Sequence, residues 1–515
     1  MIFYRKQILF QFLLVPFLLL FSFHALSQQI KTSNGKTISN SDKSRFNVLF
    51  ISIDDLRPEL ASYGAQPVIT PNMDKLAVTG VKFNRAYCQY PVCAPSRASL
   101  LTGTRPNTNK VYGLYTDFRS VLPDIQSLPQ LFKENGYITD RYGKIFHIDD
   151  TISWSVEYPA EKFGPAGVVK RAPYANQALN EEGWLKFDEA KKAGETGAAL
   201  ERSQRGPAYE ITDLPDDSLI DGKIAFESIK ALQQLKHADK PFFLAVGFHK
   251  PHLPFVAPAN YWNLYNREQI VVAKNKQPPN DAPYALGEMQ EFYTYTDVPQ
   301  VKPIPDDYAR IMRHGYYACV SFVDAQVGRL LNELEALGLA DNTIVIIWGD
   351  HGFKLGEHGG WAKATNFELD ARVPLIMRVP GYSQNVVVNG LVELLDVYPT
   401  LAVLAGIPVP PHVEGKSFVP LLKKSNKKGK AAAYTQCSRG SRTGYSIRTK
   451  RYRLVYWIME GEKDAFELYD HNNDPEENIN LAGKHSMSKI KNKLLKKMGK
   501  KIKVVNIRTD LRNDQ

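Results

Sequence analysis

The chain has 515 residues, 43% of them hydrophobic and 23% charged, the proportions of an ordinary globular protein with room for a large catalytic domain and a smaller one. Four cysteines, at 88, 93, 319 and 437, suggest neither a disulfide framework nor a zinc site. The net charge of +11 sits mostly at the ends: Arg5 and Lys6 contribute two cations, and Lys484–Gln515 holds nine Lys, two Arg and two Asp. The body between them is near neutral, so nothing supports nucleic-acid binding, and a bound anion has to be held by local cations.

Arg5 and Lys6 precede an apolar run from Ile8 to Phe23, and Ala25 and Ser27 follow at cleavage-site spacing. This reads as a signal peptide over 1–27, with secretion or a periplasmic location and no stable membrane span after its removal. Residues 28–45 are a polar leader.

Next, Asn47–Ile53 is a continuous apolar run, as expected of a strand buried on both faces. Thr70-Pro71 opens a helix that Gly80 closes. Ser127 caps another helix ending at Gly136, and Tyr137–Tyr142 is a short strand. Leu219–Leu235 is helical, Phe242–Val246 a strand, Asp307–Leu337 helical and Thr343–Trp348 a buried strand. This alternation predicts an α/β fold with a mostly parallel sheet flanked by helices. Residues 155–215 and 260–305 have weak periodicity and read as insertions of the kind that build substrate pockets. A Lys/Ser/Gly-rich stretch near 422–430 reads as a linker between a catalytic domain (46–421) and a β-rich C-terminal subdomain (431–515) with a basic tail. In that subdomain Ala432–Cys437, Gly444–Arg448, Tyr452–Trp457 and Phe466–Tyr469 alternate like antiparallel strands.

Ionisable residues collect where the predicted strands end. Asp54 and Asp55 follow the first strand, Lys144 and His147 the strand at 137–142, His249 and His252 the strand at 242–246, and Asp350 and His351 the strand at 343–348. In open α/β sheets this edge binds ligands. Two adjacent aspartates there suit a helix cap or turn, or, with Asp350, a hard divalent cation on oxygen ligands. Cys93 opens CAPSRASLLTG, where Pro95 suits a first helical turn and Gly103 a stop. A cysteine at a helix N-terminus faces free N–H groups, and Arg97 lies one turn in. Spacing alone leaves three readings of Cys93: a thiolate nucleophile, half of a disulfide with Cys88, or a modified cysteine.

Cys93-Ala94-Pro95-Ser96-Arg97 with Leu101-Thr102-Gly103 resembles the signature of the sulfatase family, in which a dedicated enzyme oxidises the cysteine to formylglycine. The stretches GKIFH (143–147), FFLAVGFHKPHLPF (242–255) and GDHGFKLGEHGGWAKATNFELDARVPLIM (349–377) resemble the iduronate-2-sulfatase branch. The resemblance covers roughly 45–150, 240–256 and 305–420, and is weak in both insertions and the C-terminal subdomain. It implies an alkaline-phosphatase-like sandwich with a small antiparallel C-terminal β subdomain. It also implies calcium on Asp54, Asp55, Asp350, His351 and the modified residue 93. Arg97 and Lys144 would hold the nucleophile, His147 would be the base, and His252 and Lys363 would hold the sulfate and the leaving oxygen; His249 is a weaker candidate. The implied partners are a sulfated carbohydrate, such as a uronate-containing glycosaminoglycan or ulvan, and a formylglycine-generating or anaerobic sulfatase-maturating enzyme. The alternatives are a phosphomonoester or phosphonate hydrolase of the same superfamily and a non-catalytic sugar-binding relative.

Overall fold

The computed structural model describes residues 45–65, 67–157, 172–287, 290–423 and 427–502. The signal peptide read over 1–27, nearly all of the leader and the last part of the basic tail lie outside the described residues.

Seven strands form the main sheet: β1 (Asn47–Ile53), β2 (Val81–Phe83), β3 (Ile138–Gly143), β4 (Phe242–Phe248), β5 (Thr343–Gly349), β6 (Leu375–Arg378) and β7 (Val386–Val388). Their order is β7-β2-β6-β5-β1-β4-β3. β1 pairs in parallel with β4 and β5, and β3 with β4, whereas β6 runs antiparallel to β5 and β2. All seven residues of β1, β4 and β5 are buried. Alternate side chains of β1 enter two cores: Leu49, Ile51 and Ile53 face helices Pro71–Thr79, Ile220–Leu235 and Asp306–Ala336, and Val48 and Phe50 face Cys93–Thr102, Leu128–Glu134 and Val397–Leu404. This is the helix-on-both-faces layering that the apolar runs predict.

Helix boundaries follow local chemistry. Ser127 and Gln130 form a reciprocal capping box ahead of Leu128–Glu134. Pro71 occupies the first turn of its helix, although Thr70 makes no capping bond. Gly103 ends the Cys93 helix at φ 68°, where a Cβ would lie 3.0 Å from Val413. The first insertion is more regular than its composition suggests. It contains helices Gln177–Lys192 and Gly197–Ser203, and a strand, Tyr209–Thr212, that pairs with Phe255–Pro258. The longer helix buries little beyond Asn180, Gly183 and Phe187, so its apolar stripe is faint.

A second sheet of four antiparallel strands, Ala433–Arg439, Arg442–Arg448, Tyr452–Ile458 and Ala465–Asp470, lies in the same compact unit, Phe46–Gln515. One face packs on helix Ser488–Lys501 through Leu494, Leu495 and Met498. The other face places Cys437, Val455 and Trp457 against Tyr90. The lysine-rich stretch near 422–430 ends at an anchor. Lys430 pairs with Leu391 in a β-bridge, and its ammonium lies 2.5 Å from both Glu393 and Asp396.

Candidate functional site

The parallel register aligns the strand ends. Ile53 of β1 pairs with Phe248 of β4 and Gly349 of β5, and Gly143 of β3 with Gly247 of β4. The residues that follow, Asp54, Lys144, His249 and Asp350, therefore emerge at one edge. Gly247 makes this possible, since a Cβ there would lie 2.0 Å from the Lys144 carbonyl.

Cys93 is the first residue of helix Cys93–Thr102 and is 2% exposed. Its thiol donates to Asp54 Oδ1 at 3.3 Å and lies 3.2 Å from His351 Nε2. All four cysteines are free, and Cys88 Sγ faces the Asp370 carbonyl instead of Cys93. Burial, reinforced by Asp54, pushes the Cys93 thiol well above its usual range despite Lys144 and Lys363. A resident thiolate is therefore disfavoured.

Arg97, fully buried, holds the two strand ends together. Its Nε donates to Asp350 Oδ2 at 2.9 Å, Nη2 to Asp54 Oδ1 at 3.4 Å, and Nη1 to the carbonyls of Lys144 and Ile145. The Lys144 ammonium donates to Asp54 Oδ2 at 2.6 Å. Lys363 donates to both oxygens of Asp55, at 3.0 and 2.9 Å. Its loop is fixed by the Ala364 N–H, which donates to the Pro91 carbonyl two residues before Cys93 (3.0 Å).

Asp55 adopts φ 60°, a left-handed conformation that is costly for a residue other than glycine. Its N–H donates to Asp350 Oδ1, and His351 Nε2 lies 3.4 Å from its carboxylate. Burial pushes the Asp55 carboxyl up to about 7, with Lys363 and His351 opposing and Asp54 adding to the rise. Asp54 moves the other way: against burial, Lys144, His252 and Arg97 hold it well below the usual carboxylate range.

Asp54, Asp55, Cys93 and His351 bring ligand atoms within 4.8 Å of one another. Asp350, also expected as a ligand, stands beside them with its oxygens engaged by Arg97 and by the N–H groups of Asp55 and His351. The donor set fits a hard divalent cation: buried carboxylate oxygens converge, and His351 Nδ1 lies 2.9 Å from the Gly352 carbonyl, so a proton there leaves the Nε2 lone pair facing the carboxylates. Sulfur is the poorest member of such a set, and an oxygen function at residue 93 would suit it better.

His252 reaches the same pocket. Its Nδ1 lies 2.7 Å from the Leu253 carbonyl, and its Nε2 is 3.9 Å from Asp55 Oδ2. Burial and then Lys363 hold its pKa well below the ordinary value. Behind it, Asp221 accepts the N–H groups of His249 and Lys250 at 2.7 and 2.8 Å, and the Lys250 ammonium donates to the carbonyls of His252 and Pro254. His249 therefore contributes backbone to the loop anchor. His147 is half-buried three residues beyond Lys144 on the loop after β3.

Glu291 escaped the sequence reading. It lies in the short helix Gln290–Tyr293 of the second insertion, with Oε1 3.5 Å from His252 Nε2 and Oε2 3.3 Å from Lys363 Nζ. Arg205, from the first insertion, stands 3.8 Å behind it. No motif marks either residue; only the fold joins them.

The sulfatase family profile matches residues 46–407, and that of the N-sulphoglucosamine sulphohydrolase C-terminal region matches residues 356–504. Iduronate 2-sulfatase of Mus musculus is 34% identical over 86% of this chain and 92% of its own. A structure in complex with its substrate D-glucosamine-2-N,6-O-disulfate superposes with a TM-score of 0.69 at 23% identity, covering 89% of this chain and 97% of the other. A phosphonate monoester hydrolase from Silicibacter pomeroyi superposes with a TM-score of 0.70 at 21% identity, over 88% and 95%. The chain belongs to the sulfatase family. It is a sulfuric ester hydrolase on an alkaline-phosphatase-like fold.

Proposed function

We propose that this protein is a secreted or periplasmic sulfatase that removes sulfate from a sulfated, uronate-containing carbohydrate, using Cys93 oxidised to formylglycine by a maturating enzyme. The observation that carries this reading is the position of Cys93, in the first turn of a helix and enclosed by Asp54, Asp55, His351, Arg97, Lys144 and Lys363. The resemblance to iduronate 2-sulfatase supports the carbohydrate class.

Asp54, Asp55, His351 and the modified residue 93, with Asp350 adjoining, would hold calcium. When bound, it supplies positive charge to the sulfate oxygens and to the nucleophile. A formylglycine hydrate offers two geminal hydroxyls, one to attack sulfur and release the sugar alcohol, the other to collapse to the aldehyde and expel sulfate, after which water restores the hydrate. Lys144 and Arg97 fix Asp54 and balance charge around residue 93. Lys363 and His252 face the outer side of the pocket, where the sulfate and the bridging oxygen would lie; His252, neutral in the free pocket with Nε2 bare, would first take up a proton there as the anionic substrate adds its charge, and would then hand it to the departing alcohol oxygen. His147 would take the proton of the second hydroxyl. Phosphatases of this superfamily usually use a Ser or Thr nucleophile and two zinc ions. Among the described residues, the other convergent donor group is Glu368, His471 and Glu477, at the seam with the C-terminal sheet.

The test is sulfate release from a panel of sulfated oligosaccharides, together with the mass of the peptide bearing residue 93. Cys93→Ser is expected to lower release by at least about 10³-fold. An unmodified cysteine mass in active enzyme, or release untouched by Cys93→Ser, overturns the reading. Faster turnover of nitrophenyl phosphate than of nitrophenyl sulfate would favour the phosphatase alternative.

A further inference from the structure

Between Lys484 and Ile502 the chain carries eight lysines and no acidic residue. Most of this segment folds as helix Ser488–Lys501, seated on the C-terminal sheet through Leu494, Leu495 and Met498. Lys489, Lys493, Lys496, Lys500 and Lys501 are left exposed. Lysines at 489, 493, 497 and 501 repeat at four-residue spacing, and 496 and 500 form a further such pair. Like charges so placed repel and weaken a helix by a few tenths of a kcal/mol per pair unless counter-charge arrives. Buried apolar residues keep this helix in place, so its cations form a fixed array.

The helix ends at a cleft of about 530 Å³, lined by Lys501 together with Asn107, Lys110, Tyr112, Gln436 and Tyr445; Glu414 also lines it, with its carboxylate accepting the Arg105 N–H and the Thr108 hydroxyl. Tyr112 is 40% exposed, and Lys110, also exposed, makes no ion pair among the described residues. Gln436 donates to Asn107 at 3.0 Å, which fixes amide groups in the wall. None of the residues around Cys93 lines this cleft. Aromatic faces, amides and lysines together suit a sugar ring bearing sulfate or carboxylate. A nucleic acid or lipid surface would find cations on the helix but no use for the cleft.

We propose that the lysine face of helix Ser488–Lys501 and the adjoining cleft form a second site that binds an anionic polysaccharide chain apart from the unit being desulfated. This deepens the proposed function: the natural substrate is a polymer, held at two places.

The experiment uses the full-length enzyme with two variants: one with Lys489, Lys493, Lys496, Lys500 and Lys501 all changed to Gln, and a cleft variant, Lys110→Gln with Tyr112→Ala. Binding to heparin is measured in rising salt, alongside KM for a sulfated polysaccharide and for a sulfated disaccharide cut from it. Both variants are expected to bind heparin at least tenfold more weakly and to raise KM for the polymer at least fivefold, with kcat and the disaccharide KM retained. If the helix variant fails to fold, the cleft variant alone decides. Equal effects on polymer and disaccharide overturn the proposal, as does unchanged heparin binding, or stronger wild-type binding to duplex DNA or phosphatidylglycerol vesicles than to heparin. Heparin binding reports on this site even if the enzyme releases no sulfate, so the two readings fail separately.

Discussion

Two clusters in this protein bring carboxylates and a histidine into close convergence, and they differ in what already occupies the donors. Around Cys93, Asp54, Asp55 and His351 face one another while Lys144 and Lys363 touch the carboxylates and a single guanidinium, Arg97, reaches Asp54 at 3.4 Å. At the seam with the C-terminal sheet, Glu368, Glu477 and His471 converge equally closely, but two guanidinium groups are wedged among them. Arg453 donates to Glu477 at 2.6 Å and to Glu368 at 2.6 Å, and Arg448 donates to Glu368 at 2.9 Å. His471 Nε2 lies 2.8 Å from Glu477 Oε1, and Tyr87 donates to Glu368. Guanidinium forks match carboxylates and leave few oxygen lone pairs for a metal. Convergence of donors alone therefore does not identify a metal centre; the two clusters differ in that the seam carboxylates take three short guanidinium bonds, whereas Asp54 and Asp55 beside Cys93 take one long one.

The largest expected effect breaks the reactive cluster. Lys363→Ala should lower kcat/KM for sulfate release by about 10²–10³-fold, the scale of losing one preorganised charge at the reacting centre; steady-state kinetics on an aryl sulfate checks it. Breaking the structural cluster should act on stability. Arg453→Met leaves the buried Glu477 with only His471 and the half-buried Glu368 with only Arg448 as cationic partner, and should cost about 3 kcal/mol of unfolding free energy, read by urea titration, with activity per folded molecule retained.

The same cluster predicts a pH dependence. Against burial, Arg453 and His471 hold Glu477 down to about 2. The folded pKa lies below the unfolded one, so the stabilisation is complete above about pH 4.5 and is lost as pH falls from there towards 2, amounting to about 3 kcal/mol for the isolated group. Glu477→Gln should flatten urea stability over that window. Calcium sharpens the contrast. Added calcium should raise the melting temperature of the metal-depleted wild type by several degrees; Asp55→Asn should abolish the shift, and His471→Ala should leave it intact. The smallest expected effect is at Glu291, which touches Lys363 and His252 without being among the proposed ligands. Glu291→Gln should change kcat/KM by about tenfold, the scale of one charge-assisted hydrogen bond.

Three of the four strands that carry the site, β1, β4 and β5, were readable from sequence because each is a largely apolar run ended by polar residues; β3 carries Thr139, Asp140 and Arg141 and starts one residue later than expected. Asn47–Ile53 matches its expected limits, and β5 extends the expected run by one residue, Gly349. Asp54, Asp55, Lys144, Asp350 and His351 could be assigned to one edge for the same reason. Glu291 and Arg205 lay beyond reach. They sit in segments without strong periodicity, and their partners are 39 or more residues away in sequence. Lys430 shows a related limit. Composition treats it as one more solvated lysine in KKSNKKGK, but its ammonium lies between Glu393 and Asp396, a pairing that only tertiary contact creates.

Strand Ala433–Arg439 bears on the chain just ahead of Cys93. Gln436 donates its N–H to the Gln89 carbonyl, Thr435 its hydroxyl to the Cys88 carbonyl, and the Ser438 N–H donates to the Tyr90 hydroxyl. Residues more than 300 positions later thus close over the segment that leads into the helix, and Cys93 itself ends 2% exposed. Under the proposed function this would set an order in time: a catalyst that oxidises Cys93 would have to reach it while the C-terminal strands are still unmade or undocked, so its substrate would be the emerging or unfolded chain.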